Sequence, residues 1–238
     1  MIVGVLVFAG VAVQISKHAL SFPGHEKLFG AVRLFDLDGE STLPSWYSSL
    51  ALLWCASLLW LMARAARALG LPHARHWFAL SMIFGFVAVD EAARIHETAI
   101  NPLRRAFNPT GVFYYAWIIP ASAAVLIVVL VYLGVVIRLP GPIRRLFFVS
   151  FIIFMVGAVG LEMVEGIFQT RYVDPHSRLD FNLIIAAEEC LEMVAVVLFS
   201  HALMWHLGST LEEVQLTIAE VDPQPVEHRP DVSLGADT

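Results

Sequence analysis

Three apolar stretches of the sequence contain carboxylates at positions where a membrane-spanning helix is normally uncharged. They read FVAVDEAARIHETAI, GLEMVEGIF and AAEECLEMVAV. Because an ionised acid near the middle of a membrane costs about 3 kcal/mol or more, such residues are usually functional. The predicted ligands of a shared polar site are Asp90, Glu91, His96, Glu97, Glu162, Glu165, Glu189 and Glu192. Arg94 and Glu188 are predicted to contact these ligands and orient them without being ligands themselves.

Helical spacing predicts that each stretch directs its acids to one side. Asp90, Arg94 and Glu97 stand at i, i+4 and i+7, so in a continuous helix they form one stripe. Arg94 is then within reach of either acid. Glu162 and Glu165 are i, i+3 neighbours, and the three acids of the last stretch occupy an arc of about 100°.

The charges of these stretches do not balance. Eight carboxylates stand against Arg94 and His96 alone, which leaves an excess of about six negative charges if every group is ionised (8 − 2). Such an excess is not stable in a medium of low dielectric constant. Either several acids therefore carry protons, or cations lie among them.

A metal centre is the first of three interpretations. Glu-x-x-Glu occurs at 162/165 and again at 189/192, and helical bundles build dinuclear sites from inward-facing Glu and His. The usual Glu-x-x-His pair is missing. An oxygen-rich set with one imidazole suits a divalent ion, with iron or manganese favoured over copper. Oxidoreductase chemistry would be a further step, and whether the protein is an enzyme stays open.

Two other interpretations fit the same residues. In the second, the acids and His96 form a proton or cation pathway, as intramembrane acids do in transporters and pumps. In the third, the acids lie near the membrane surface and pair with Arg94, Arg171 and Arg178. The protein would then be an accessory or structural membrane subunit without chemistry of its own.

The composition indicates that these stretches belong to a polytopic membrane protein. Of 238 residues, 58% are hydrophobic and 15% charged, with a mean hydropathy of +0.72, whereas about a quarter of a soluble domain is charged. We predict an all-α bundle of about six transmembrane helices, with residues 1–207 forming one domain and 208–238 a polar, disordered tail. The predicted spans are 1–16, 46–63, 77–97, 112–137, 146–168 and 183–207.

Six spans place both termini on one side of the membrane, side A, and the acids near the other, side B. Asp90, Glu162 and Glu192 then all lie about 10 Å inside the side B surface. Gly157 and Gly160 are predicted to let the fifth span approach a neighbour closely. The dense arginines of RLPGPIRR favour side A as cytoplasmic. The predicted location is a bacterial inner (plasma) membrane.

The remaining polar and aromatic residues are interpreted as structural. Trp117 is assigned, with other aromatic residues at span ends, to the membrane interface. His206 is assigned a structural role, and His73 and His76 are assigned to a solvated loop. The predicted partner is the lipid bilayer, and a second copy or another membrane subunit is left open. The absence of a basic face or nucleotide-binding motif in the sequence argues against nucleic acid as a partner.

Overall fold

The computed structural model describes residues 1–20, 34–37, 39 and 42–212 of the chain. Within that part the chain is helical and contains no strands, so the predicted all-α fold is confirmed. The helices are α1 (Ile2–Leu20), α2 (Leu43–Ala68), α3 (Ala74–Ala93), α4 (Ile95–Phe107), α5 (Ile118–Val136), α6 (Gly141–Arg171) and α7 (Leu179–Glu212). The predicted disorder of the tail falls outside the described residues from position 213 onward, and the predicted domain division stays a prediction.

Four helices, α2, α3, α5 and α6, are long and apolar enough to cross a membrane. Together they support the predicted integral membrane protein, in which helices satisfy all backbone polar groups internally. The first predicted span corresponds to the apolar part of α1, Ile2–Ser16, which is shorter than these four helices. The sixth lies within α7, which has 34 residues and is therefore about 51 Å long. Its first half carries the acids of the third stretch.

The third predicted span, 77–97, is wrong at its end, because the helix breaks before His96. Helix α3 ends at Ala93, and Arg94 adopts a left-handed conformation with φ 47° and ψ 47°. Helix α4 then starts at Ile95 with its apolar and polar residues on opposite faces, which is typical of a helix at a membrane surface. The predicted stripe through positions 90, 94 and 97 therefore does not form.

The connection between α4 and α5 packs against the end of α6. A short 3₁₀ turn, Gly111–Phe113, replaces the predicted start of the fourth span. The backbone N–H of Gly111 donates to Oγ1 of Thr170 at 2.9 Å. Gly166 permits this contact, since a Cβ atom there would lie 2.7 Å from the Gly111 carbonyl oxygen. The turn fixes the start of α5 beside the acids of α6.

The bundle core lies between α2, α3, α6 and α7. Helices α2 and α3 form an antiparallel pair, in which the Ser81 hydroxyl donates to the Ala56 carbonyl at 2.8 Å. Helix α7 packs against α2, α6 and α1, and Leu203 on it is fully buried. Helix α6 contains a π-helical segment, Val156–Leu161, directly before its first acid. Such segments occur frequently at functional sites.

Candidate functional site

Asp90 and His96 form a two-point contact across the break between α3 and α4. The backbone N–H of His96 donates to Oδ1 of Asp90 at 2.9 Å, and Nδ1 of His96 lies 2.7 Å from Oδ2. Their side chains keep 19% and 28% of their surface exposed, respectively. The pair is therefore only partly buried. The left-handed Arg94 makes the contact possible, because it turns the chain back toward the end of α3.

Trp117 connects this pair to α6. Its ring centroid lies 4.8 Å from that of His96, and its indole N–H donates to Oε1 of Glu162 at 2.7 Å. An indole N–H is only a donor, so Glu162 presents an acceptor oxygen to it. The side chains of His96 and Glu162, which belong to different helices, are thus held on the same tryptophan.

Gly157 brings α6 against the acid-bearing part of α7. A Cβ atom at this position would lie 3.2 Å from the Glu188 carbonyl oxygen, from Cβ of Leu191 and from Cγ of Glu192. The predicted close approach of the fifth span is therefore found at Gly157. At Gly160 the nearest atom to an added Cβ is 3.8 Å away and belongs to α6 itself, the Met155 carbonyl.

The charged groups that act most strongly on Glu192 are all carboxylates. These are the carboxylates of Glu189, Glu188, Glu91 and Glu162. Three helices thus contribute to one group of carboxylates, which we call the acidic cluster. Helix α3 contributes Glu91, α6 contributes Glu162, and α7 contributes Glu188, Glu189 and Glu192. The structure places these predicted residues together at the side B end of the bundle.

The other predicted residues have different positions. Glu165 is buried one turn after Glu162, with 6% of its surface exposed, and lies next to Gly166, on which the 3₁₀ turn packs. Arg94 occupies the break between α3 and α4. The side chain of Glu97 lies outside the described part of the structure, so its predicted role stays a prediction.

Two of the three arginines assigned to the acids in the third interpretation, Arg171 and Arg178, have other contacts. Arg178 binds Asp180 through two hydrogen bonds, from Nη2 to Oδ2 at 2.6 Å and from Nε to Oδ1 at 3.0 Å. The guanidinium of Arg171 lies 5.9 Å from the ring of Tyr172. Both contacts are at the ends of α6 and α7, outside the acidic cluster.

A metal centre is not supported by the arrangement of the predicted ligands. Among residues 1–20, 34–37, 39 and 42–212, no group of three or more His, Cys, Asp or Glu side chains is placed to hold a metal ion. A physical reason is visible in the contacts. Asp90 directs both carboxylate oxygens to His96, and Glu162 directs Oε1 to an indole. The acids therefore share a region without converging on one point.

A group of aromatic rings lies between the helices on the side A flank of this region. The rings of Phe84 and Phe199 stack with centroids 4.9 Å apart, and the ring of Phe147 meets that of Phe199 edge-on, also at 4.9 Å. Trp77 follows, 6.4 Å from Phe147. We refer to these four residues as the aromatic barrier. Its residue on α7, Phe199, follows Glu192 by seven positions, which is about 10 Å along the helix.

Sequence reasoning missed Trp117 as part of the site. Its position at the side B end of α5, the same end at which Glu162 lies on α6, was the available signal. A tryptophan near a span end is usually interpreted as an interface residue, and the hydrogen bond to Glu162 depends on the packing of the 3₁₀ turn. That packing involves a glycine contact between distant positions, which the sequence does not reveal.

The family model described as "Domain of unknown function (DUF8692)" matches residues 1–207. The chain belongs to this family. The match covers every residue of the acidic cluster and of the aromatic barrier. Neither a curated protein nor a solved structure matches the chain.

Proposed function

We propose that this membrane protein takes up protons from side B and transfers them among the carboxylates of α3, α6 and α7. The observation that carries the proposal is the contact between Asp90 and His96, with Nδ1 and Oδ2 2.7 Å apart. A carboxylate and an imidazole at hydrogen-bond distance can share a proton and pass it on. Both side chains are partly exposed, so the pair can serve as the entry point.

The charges around Glu192 support protons as the neutralising species. Four other carboxylates act on this group, and carboxylates brought together in a medium of low dielectric constant disfavour each other's ionised form. A metal ion would need several donor atoms at one point. A proton needs a single carboxylate oxygen, which suits acids that are close together without forming a coordination shell.

The proposed route leads from α3 and α4 to α7. Protons enter at Asp90 and His96, and pass by the carboxylates of Glu91 and Glu162 to Glu192. Trp117 does not carry a proton itself, since its indole is a donor only. It orients His96 on one side and Glu162 on the other.

The aromatic barrier determines what kind of activity is expected. Because stacked rings offer no hydrogen bonds, protons held at Glu192 cannot continue to side A without a movement of Phe199 or its neighbours. The proposed activity is therefore proton transfer gated by a spontaneous movement of these rings, which is slower than flow through an open proton channel but measurable in the absence of another energy source.

Proton flux into liposomes tests the proposal. The purified protein is reconstituted with an internal pH-sensitive dye, a pH gradient is applied, and the membrane potential is held at zero with a potassium ionophore. We expect wild-type flux above that of empty liposomes and loss of most of this difference in Glu192→Gln. Asp180→Asn is the matched control, since it removes a carboxylate from the same helix. The hydrogen bond from Arg178 holds the pKa of Asp180 below its ordinary value, so this carboxylate stays ionised.

The outcome distinguishes a proton pathway from a purely structural role. Wild-type flux equal to that of empty liposomes, or equal flux in wild type and Glu192→Gln with both proteins folded, would overturn the proposal. The third interpretation, an accessory subunit, would then be favoured. Equal loss in Asp180→Asn would point to a general effect of surface charge.

A further inference from the structure

A second polar region lies at the opposite end of the bundle. A cavity of about 380 Å³ opens there between the side A ends of α2, α3, α5 and α7. Its size falls in the range of small-molecule sites. Most of its wall is apolar, with Met62, Trp77 and Leu207 among the lining residues, and its polar groups are those of His73, Arg138, His206 and Thr210.

Arg138 and His73 are paired at the cavity. Nη1 of Arg138 lies 3.4 Å from Nε2 of His73, so the imidazole takes up one of the five N–H donors of the guanidinium. The side chain of Arg138 is exposed and keeps its positive charge at any physiological pH. A planar guanidinium binds phosphate oxygens in a two-point geometry. The charge of the cavity therefore favours an anion.

The backbone of His73 is strained at this position. It has φ 71° and ψ 10°, in the left-handed region that favours glycine. Such a conformation costs about 1 kcal/mol or more and is frequent at ligand sites. The sequence nevertheless has a histidine here, and the conformation places its ring beside Arg138.

The position of the cavity selects the kind of anion. It lies where four helices end, three of which are apolar enough to span a membrane, so it opens at the level of the lipid headgroups. Basic pockets between helix ends bind anionic lipid headgroups. We infer that this cavity binds an anionic phospholipid, with the phosphate on Arg138 and His73 and the start of an acyl chain along Met62, Trp77 and Leu207.

Native mass spectrometry of the full chain in neutral detergent tests the inference, with phosphatidylglycerol, phosphatidylcholine and inorganic phosphate as probes. We expect retention of phosphatidylglycerol at concentrations where phosphatidylcholine is not retained. Arg138→Gln should weaken retention about tenfold or more, because a hydrogen bond to a charged group is lost. Arg145→Gln is the matched control, since Arg145 is an exposed arginine on the same side of the membrane and does not line the cavity.

A second variant tests the apolar wall independently of the charge. Leu207→Trp should narrow the apolar part of the cavity and weaken the retention of phosphatidylglycerol while Arg138 is intact, with folding checked by size-exclusion chromatography. Equal retention of the two lipids, or an equal effect of the two arginine changes, would overturn the site. Displacement of phosphatidylglycerol by the same concentration of inorganic phosphate, with no effect of Leu207→Trp, would show a free-phosphate site and overturn the lipid assignment.

Discussion

His96 binds the carboxylate of Asp90 twice, once through its backbone N–H at 2.9 Å and once through Nδ1 at 2.7 Å. Residues six positions apart lie on different faces of a continuous α-helix, so this contact requires the break at Arg94. The turn that ends α3 therefore also forms the contact between Asp90 and His96. Changes in the backbone at this turn should alter the chemistry of the pair.

The first prediction concerns the left-handed residue. Arg94→Gly and Arg94→Val remove the same side-chain charge, but only glycine adopts φ 47° without strain. We expect the free energy of unfolding to be about 1 kcal/mol higher in the glycine variant. Thermal unfolding in detergent measures this difference, and the histidine NMR signals should report an intact contact to Asp90 only in Arg94→Gly. Equal stability of the two variants would contradict the strain.

The second prediction concerns the approach of α6 to α7. Gly157→Ala places a methyl group 3.2 Å from atoms of Glu188, Leu191 and Glu192, so it should lower the free energy of unfolding by about 1–3 kcal/mol. Gly85→Ala is the control, because an added Cβ atom meets nothing within 4 Å. It should leave stability unchanged or raise it slightly. A neutral Gly157→Ala would show that the helices do not pack closely here.

The third prediction concerns the donor on Glu162. Trp117→Phe keeps an aromatic ring beside His96 but removes the indole N–H, which should cost about 1–3 kcal/mol of stability. The change of tryptophan emission with pH should become smaller in this variant, since Trp117 contacts both a histidine and a carboxylate. Trp54→Phe, at an exposed position, should retain that change. Retention of the full pH response in Trp117→Phe would assign it to another tryptophan.

The fourth prediction concerns the aromatic barrier. Phe199 touches both Phe84 and Phe147, so Phe199→Ala should open a gap and let water reach the acids of α7. Passive proton flux in the liposome assay should rise above the wild-type rate. Phe151→Ala removes a ring that is 39% exposed on the surface of α6 and should not change the rate. Unchanged flux in Phe199→Ala would place the barrier elsewhere.

The fifth prediction separates protons from metals. We expect dialysis against a chelator to leave proton flux and thermal stability unchanged, because the described residues form no metal-binding group. Elemental analysis of wild type beside a Glu162→Gln, Glu192→Gln double variant should show no stoichiometric metal that depends on these acids. Flux that is lost on chelation and restored by iron or manganese would support the metal interpretation instead.

The sequence predicted those parts of the molecule that depend on local composition. Apolar length located α2, α3, α5 and α6 to within six residues at each end, and Gly157 was identified as a point of close approach. The shared depth of Asp90, Glu162 and Glu192 followed from the order of the spans and stays a prediction. Of these residues, Glu162 is among the charged groups that act on Glu192. These features need no knowledge of side-chain contacts.

The parts that were missed depend on single backbone conformations and long-range packing. Helical spacing predicts that Arg94 lies on one face with Asp90, but it does not reveal that the residue is left-handed. The assignment of Trp117 to the membrane interface was incomplete for a similar reason. Its partner Glu162 is 45 positions away and is reached only because the turn at Gly111 packs on Gly166. Arg178 binds Asp180, which is only two positions away. The third interpretation instead paired Arg178 with the acids of the helices, because spacing alone does not decide between a near and a distant carboxylate.

The π-helical segment at Val156–Leu161 divides α6 into two parts with separate rotational phase. A π turn contains more residues than an α turn, so Glu162 and Glu165 do not lie on the face that regular winding from Gly141–Met155 would give them. Rewinding the same six residues as a regular α-helix would rotate both acids by about 100° about the helix axis, whereas deleting one residue during that rewinding would leave their direction almost unchanged. The winding of this segment therefore sets the direction in which Glu162 and Glu165 point relative to the first half of α6. The lipid-facing surface of the first half and the carboxylate-bearing face of the second half can thus be oriented separately.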